Sequence, residues 1–240
     1  MSGRFKGASP KTRHSSGMFN ISDALPMIAA IDNLLCFWDT EDRVSHNDGS
    51  EWVYDLSGND KDAFGVQTYS ITQRADGFMD FASATGPIQV TPPVTTAITD
   101  VTLQVVVDIP STSEAAYLIG VGTGANGYFL SVANNAITTA GNHLLALFGG
   151  VRWVDTNYAL GTGKMLLTMI LDGSSVPSFY KNTTSIPGSY GGSAPTTPTS
   201  VNLMGFASPN GLPTAAGLFY SKQLSASEIS QNYDIFSSRW

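Results

Sequence analysis

The last twenty-four residues, 217–240, constrain this chain more than any other stretch: G-L-F-Y-S-K-Q-L-S-A-S-E-I-S-Q-N-Y-D-I-F-S-S-R-W. Residues 218–220 read as a short strand that runs into one helix. Ser225 and Glu228 have the S-x-x-E spacing of a capping box, in which each side chain satisfies a backbone N–H at the helix start. Leu224, just before the cap, is placed to staple onto Ile229. Ile229, Tyr233 and Phe236 recur at helical spacing and give the helix one apolar face. A strand-and-turn chain that closes on one well-capped helix points to a binding-type β-sandwich and away from most enzyme folds.

The rest of the chain agrees. Short apolar or alternating runs occur at 34–38, 51–59, 77–81, 101–108, 116–121, 128–132, 144–148, 151–154, 164–171, 179–181 and 201–206, separated by turn residues. The 101–108 run, V-T-L-Q-V-V-V-D, is the strongest. Gly120, Gly122, Gly124 and Gly127 read as a turn cluster, Asp172-Gly173 as a turn, and 187–200 as a long surface loop. Residues 18–30 carry Ile21, Leu25 and Ile28 at helical spacing, interrupted by Pro26. No period of 20–50 residues repeats, which disfavours a solenoid or propeller. The expectation is an all-β chain, a two-sheet antiparallel sandwich with a short C-terminal helix. Residues 1–30 form an extended arm and 31–240 the body.

Charge divides the same way. The net charge is −7, and only 13% of residues are charged. Within 1–23, Arg4, Lys6, Lys11 and Arg13 stand against Asp23 and leave +3; the 8 basic and 18 acidic residues that remain leave −10. A basic arm on an acidic body reads as a docking tail, with Arg4, Phe5, Lys6, Lys11, Arg13 and Phe19 as its candidate contacts. The acidic body argues against nucleic acid, because phosphate contacts need Lys and Arg. The start of the chain lacks the apolar core of a signal peptide, and no window approaches the length of a membrane span. Cys36 is the single cysteine and sits in an apolar run, so no intrachain disulfide forms and a structural zinc site is not expected.

Three segments together resemble the concanavalin A-like lectin/glucanase superfamily in its laminin G-like form. Asp55-Leu56-Ser57-Gly58-Asn59 is similar to the D-x-S-G-N turn near the start of such domains. Residues 167–180, with the Asp172-Gly173 turn, are similar to the paired strands that usually end in Y-x-N-G, although Thr183 follows Tyr180-Lys181-Asn182 where the glycine is usual. The strand and L-S-x-x-E-I helix at the C-terminus complete the pattern. The resemblance covers residues 34–240 and implies a jelly roll. Ser16-Gly17-Met18-Phe19-Asn20-Ile21-Ser22-Asp23 also resembles segments that precede such domains in tailed-bacteriophage virion proteins. That resemblance implies a virion component made in the host cytoplasm and displayed on a particle, with capsid, tail or fibre proteins as partners. A homo-oligomer is expected, since virion parts share the particle's symmetry.

Catalysis is not expected. Members that cleave β-glucans use an E-x-D-x-x-E strand whose two glutamates serve as nucleophile and acid/base. The four glutamates here, Glu41, Glu51, Glu114 and Glu228, match no such pattern. The nearest carboxylate pair, Asp39-x-x-Asp42, reads as a solvated loop. His14, His46 and His143 pair with no serine elbow. No cofactor is required. Calcium is the one ion the resemblance leaves open, with Asp39, Asp42, Asp55 and Asp60 as candidate oxygen ligands, and Asp48, Asn59 and Asp62 nearby; the alternative is that such turn residues bond their own backbone. For a host glycan, the candidates are aromatic and amide side chains expected in loops: Trp153, Asn157, Tyr158, Tyr190 and Asn210. Trp38 and Trp52 read as core. Three functions are in contention: an adhesin, a decoration protein that binds no sugar, and, last, a glycoside hydrolase.

Overall fold

The computed structural model describes residues 28–40, 52–60, 62–65, 72–80, 88–91, 100–111, 116–123, 126–133, 142–148, 152–172, 177–187, 203–205 and 212–240. The arm contacts Arg4, Phe5, Lys6, Lys11, Arg13 and Phe19 lie outside these residues, as do Asp42, Asp48, Tyr190 and Asn210.

Every strand pairing is antiparallel, and two eight-stranded sheets result. The first sheet contains β1 (Leu34–Asp39), β4 (Thr72–Gln73), β5 (Met79–Asp80), β7 (Val101–Ile109), β12 (Gly163–Leu171), β13 (Ser178–Lys181), β14 (Thr184–Ile186) and β16 (Thr214–Tyr220). Its order is β14-β13-β12-β7-β16-β5-β4, with β1 also paired to β16. The second contains β2 (Trp52–Val53), β3 (Asp62–Gly65), β6 (Ile88–Thr91), β8 (Ala116–Thr123), β9 (Asn126–Ala133), β10 (His143–Phe148), β11 (Arg152–Ala159) and β15 (Leu203–Gly205), in the order β11-β10-β9-β8-β15-β6-β3-β2. The helix α1 (Ala226–Ser237) follows β16, and a 3-10 turn, Ile31–Asn33, leads into β1. The expected jelly-roll-like sandwich is what forms.

Alternation along β7 shows why two layers become three. Val101, Leu103, Val105, Val107 and Ile109 face the second sheet and join Met165, Leu167, Met169 and Leu171 of β12 in the inner core. Leu130, Val132, Leu144 and Ala146 supply the other wall. The intervening positions of β7 and β12 point the opposite way, where Val106, Leu166 and Ile170 pack with Leu218, Tyr220, Ile229 and Phe236 in a second core under α1. The first sheet is therefore covered on both faces, which is why β7 and β12 read as nearly continuous apolar runs. Each fully buried Leu, Val or Phe in these cores contributes about 2 kcal/mol. Trp38 is fully buried in the inner core, as its sequence neighbours imply.

The polar residues on the helix side of β7 are all bonded. Thr102 Oγ1 donates to the Lys222 carbonyl and accepts from Leu224 N. Gln104 Nε2 donates to Thr168 Oγ1 at 3.0 Å, while its carbonyl oxygen accepts from Asn232 Nδ2 at 2.7 Å. Asn232 Nδ2 also donates to the Tyr220 hydroxyl, and Asn232 Oδ1 accepts from Ala29 N, both at 2.8 Å. One helix side chain thus ties two strands and the segment entering the body. Burial pushes the Tyr220 hydroxyl well above the ordinary phenol range, against the opposing hydrogen bond from Asn232.

Local expectations fared unevenly. The capping box is complete: Ser225 Oγ accepts from Glu228 N, and Glu228 Oε2 accepts from Ser225 N at 2.7 Å. Residues 28–30 are not helical; they form a turn in which Ala30 takes φ 51°. The glycine cluster is not wholly a turn, because β8 runs on through Gly120 and Gly122 to Thr123. A Cβ at Gly120 would overlap the Phe129 ring of β9, so that glycine permits a close approach between strands. The turn without its glycine is a two-residue hairpin in which only Asn182 has positive φ, 56°. Asparagine tolerates that conformation, and Thr183 has no need of it.

Candidate functional site

Strand β11 carries three of the five glycan candidates, Trp153, Asn157 and Tyr158, and it ends the second sheet. These residues were expected in loops; the strand extends to Ala159 because it is bulged, not because it is regular. Its pairing with β10 is regular from Phe148↔Arg152 to Leu145↔Asp155 and then jumps to His143↔Ala159. Three residues, Thr156, Asn157 and Tyr158, thus lie opposite Leu144 alone. Such a bulge re-aims side chains at a sheet edge.

Short side chains hold the bulge. Thr156 is buried, and its hydroxyl donates to the Leu144 carbonyl at 2.8 Å and accepts from Tyr158 N at 3.2 Å. Asp155 Oδ1 accepts from Asn157 N at 2.7 Å, an Asx turn that sets Asn157 in the left-handed region at φ 54°. Asn157 is exposed. Tyr158 is half-buried against the inner core. Trp153 is the register partner of Leu147, two positions before Asp155.

His143, from β10, completes the cluster. Its Nδ1 lies 3.1 Å from Asp155 Oδ1 and 3.2 Å from Oδ2, so the ring donates a hydrogen to the carboxylate. The two side chains retain 14% and 24% exposure, enough for a ligand atom to reach them. Neither His143 nor Asp155 was a sequence candidate. Their sequence signal is slight: His143 immediately precedes the 144–148 run and Asp155 immediately follows 151–154, positions that become informative once the bulge fixes the register.

Among the described residues, the calcium candidates are not gathered. Asp55 Oδ1 accepts from Phe37 N and Ser57 N, each at 2.9 Å, and Oδ2 accepts from the Ser57 hydroxyl at 2.7 Å. Asn59 Nδ2 donates to the Leu34 and Leu35 carbonyls. The D-x-S-G-N turn therefore staples itself to β1, with Gly58 supplying φ 86° and exposed Asp60 φ 53°. Asp39 is not a solvated loop residue; it is fully buried at the end of β1, with Arg239 Nη1 2.6 Å from its Oδ2. Asp62 lies in β3. Among the described residues no three His, Cys, Asp or Glu side chains are close enough to hold a metal.

A second charged cluster lies near β5. Asp76 Oδ2 receives Arg74 at 2.7 Å and Lys164 at 3.1 Å, Arg74 also reaches Asp108 at 2.9 Å, and both cations lie over the Phe78 ring. Burial raises the Asp76 pKa, but Lys164 and Arg74 outweigh it and hold the carboxyl below its usual value. The cations are all engaged, so this cluster braces the sheet.

No family model matches the chain, and no curated protein does. Solved structures do match its fold. The binding domain of Paraclostridial Mosquitocidal Protein 1 aligns at a TM-score of 0.61 and 14% identity, over 86% of this chain and 53% of that one. Trypanosoma rangeli sialidase in complex with sialic acid aligns at 0.60 and 15% identity, over 91% of this chain and 38% of that one. Domain 4 of AbnA, a GH43 extracellular arabinanase from Geobacillus stearothermophilus, solved with arabinotriose, aligns at 0.57 and 15% identity, over 82% of this chain and 97% of that domain. The chain spans about half or less of the toxin and sialidase chains. At such identities the likeness is one of fold: a two-sheet antiparallel β-sandwich.

Proposed function

We propose that this chain is a non-enzymatic, lectin-like display module of a bacteriophage particle, anchored by its basic arm and binding surface glycans of the host through the β11 edge. The observation that carries the sugar-binding part is the bulge of β11, which sets an exposed asparagine beside a carboxylate bonded to an imidazole. Sugar recognition calls for that combination of donors and acceptors next to an aromatic face, and Trp153 stands two positions away on the same strand. The sandwich fold shared with an arabinanase domain solved with arabinotriose supports the reading. The arm's net +3 and its Ser16–Asp23 segment support the particle assignment.

Screening the full chain on a glycan array that includes host surface polysaccharides tests the binding role. The expected result is a bound set that Trp153→Ala weakens. Binding to no polysaccharide would leave a decoration protein that assembles without sugar. Release of reducing sugar would point to a hydrolase instead. Removal of residues 1–23 tests the anchor: the truncated body is expected to fold and to fail to enter particles.

A further inference from the structure

The β11 site also has a charge character that limits its ligand. Asp155 is the acceptor at its centre; among the described residues its Oδ2 takes only the His143 contact at 3.2 Å, while Oδ1 takes both His143 and Asn157 N. A carboxylate oxygen has two lone-pair sites, so Oδ2 keeps acceptor capacity for a ligand hydroxyl. The exposed Asn157 amide can donate to a neighbouring ligand oxygen. The residues outside the arm carry a net −10, which adds a repulsive field for anions.

Building on the sugar-binding reading above, we infer that the β11 bulge is a diol-binding site for neutral sugars and discriminates against acidic ones. One sugar hydroxyl donates to Asp155 Oδ2, and its vicinal neighbour accepts from the Asn157 amide. The His143 hydrogen bond orients the carboxylate for this. A sialic or uronic acid would bring a second carboxylate toward Asp155, and like charges at close range disfavour binding.

Isothermal titration and saturation-transfer NMR on the full chain provide the test. Methyl α-mannoside, methyl β-galactoside, methyl β-glucoside and arabinotriose serve as neutral probes, and N-acetylneuraminic acid and glucuronic acid as anionic ones. At least one neutral probe is expected to bind, with both acids weaker by about tenfold or more. Asp155→Asn keeps an acceptor for Asn157 N but loses the charged acceptor, and it is expected to cost about tenfold in neutral-probe affinity. Asn157→Gly keeps the left-handed backbone and removes the amide, so it is expected to weaken binding several-fold at an unchanged melting temperature. That second variant decides the matter if Asp155→Asn perturbs the fold. Preferential binding of an acid, or neutral-probe binding that Asn157→Gly leaves intact, would overturn the inference while leaving sugar binding standing. Binding of no probe would overturn both.

Discussion

Asp39 and Arg239 show what a single residue contributes here. The carboxylate is fully buried, and its guanidinium partner comes from 200 positions away and also lies 5.2 Å over the Phe236 ring. Removing one member of a buried pair leaves the other charge poorly compensated. Arg239→Ala is therefore expected to destabilise the protein by about 3 kcal/mol, read as a shift in the urea midpoint, with Arg239→Lys recovering part of it. Asn232→Ala removes three buried hydrogen bonds, to Ala29, Gln104 and Tyr220, and is expected to cost about 3 kcal/mol as well. Neither role was legible in the sequence. Asp39 sits three residues from Asp42 and looks like half of a loop pair, and Asn232 lies in a polar helix segment. Their partners are distant in the chain, and nothing local marks a polar side chain that will be buried.

At the scale of the element, what was local was legible. The cap at Ser225 depends only on residues three apart, and it forms as its spacing predicts. Ser225→Ala is expected to cost about 1 kcal/mol, measurable by thermal melting. Glycine is ambiguous in a way that no local window resolves, because it serves both turns and close strand contacts. Gly120 belongs to the second kind, and Gly120→Ala is expected to cost about 2 kcal/mol or to displace the Phe129 ring, which a crystal structure of the variant would reveal. The β11 bulge escaped for a related reason. D-T-N-Y has the composition of a turn, and only pairing with β10 makes it a strand that bends around an exposed asparagine. The sequence therefore places the glycan candidates of this strand in loops, weighs His143 only as a triad histidine and does not mark Asp155.

For the whole molecule, the class of fold was the most legible feature, since many short runs, one capped helix and the two-face apolar pattern of β7 and β12 agree with one another. Its acid response follows from the carboxylates. Burial raises both Asp76 and Glu228, but Lys164 and Arg74 for the first, and Lys222 and Ser225 for the second, hold each below its ordinary value. A depressed folded pKa contributes stability that is present above the unfolded value, about 4, and is lost as pH falls through the folded one. The urea midpoint is expected to drop as pH falls below about 4, and Asp76→Asn is expected to flatten part of that drop. The hydrogen bond from Ala29 to Asn232 has a mechanical consequence. The segment leading into β1 and the helix α1 meet at a shared joint on the helix-covered face of the first sheet. A pull on Ala29 is therefore felt by the last helix, through Asn232, as well as by the strands that Ile28 packs against.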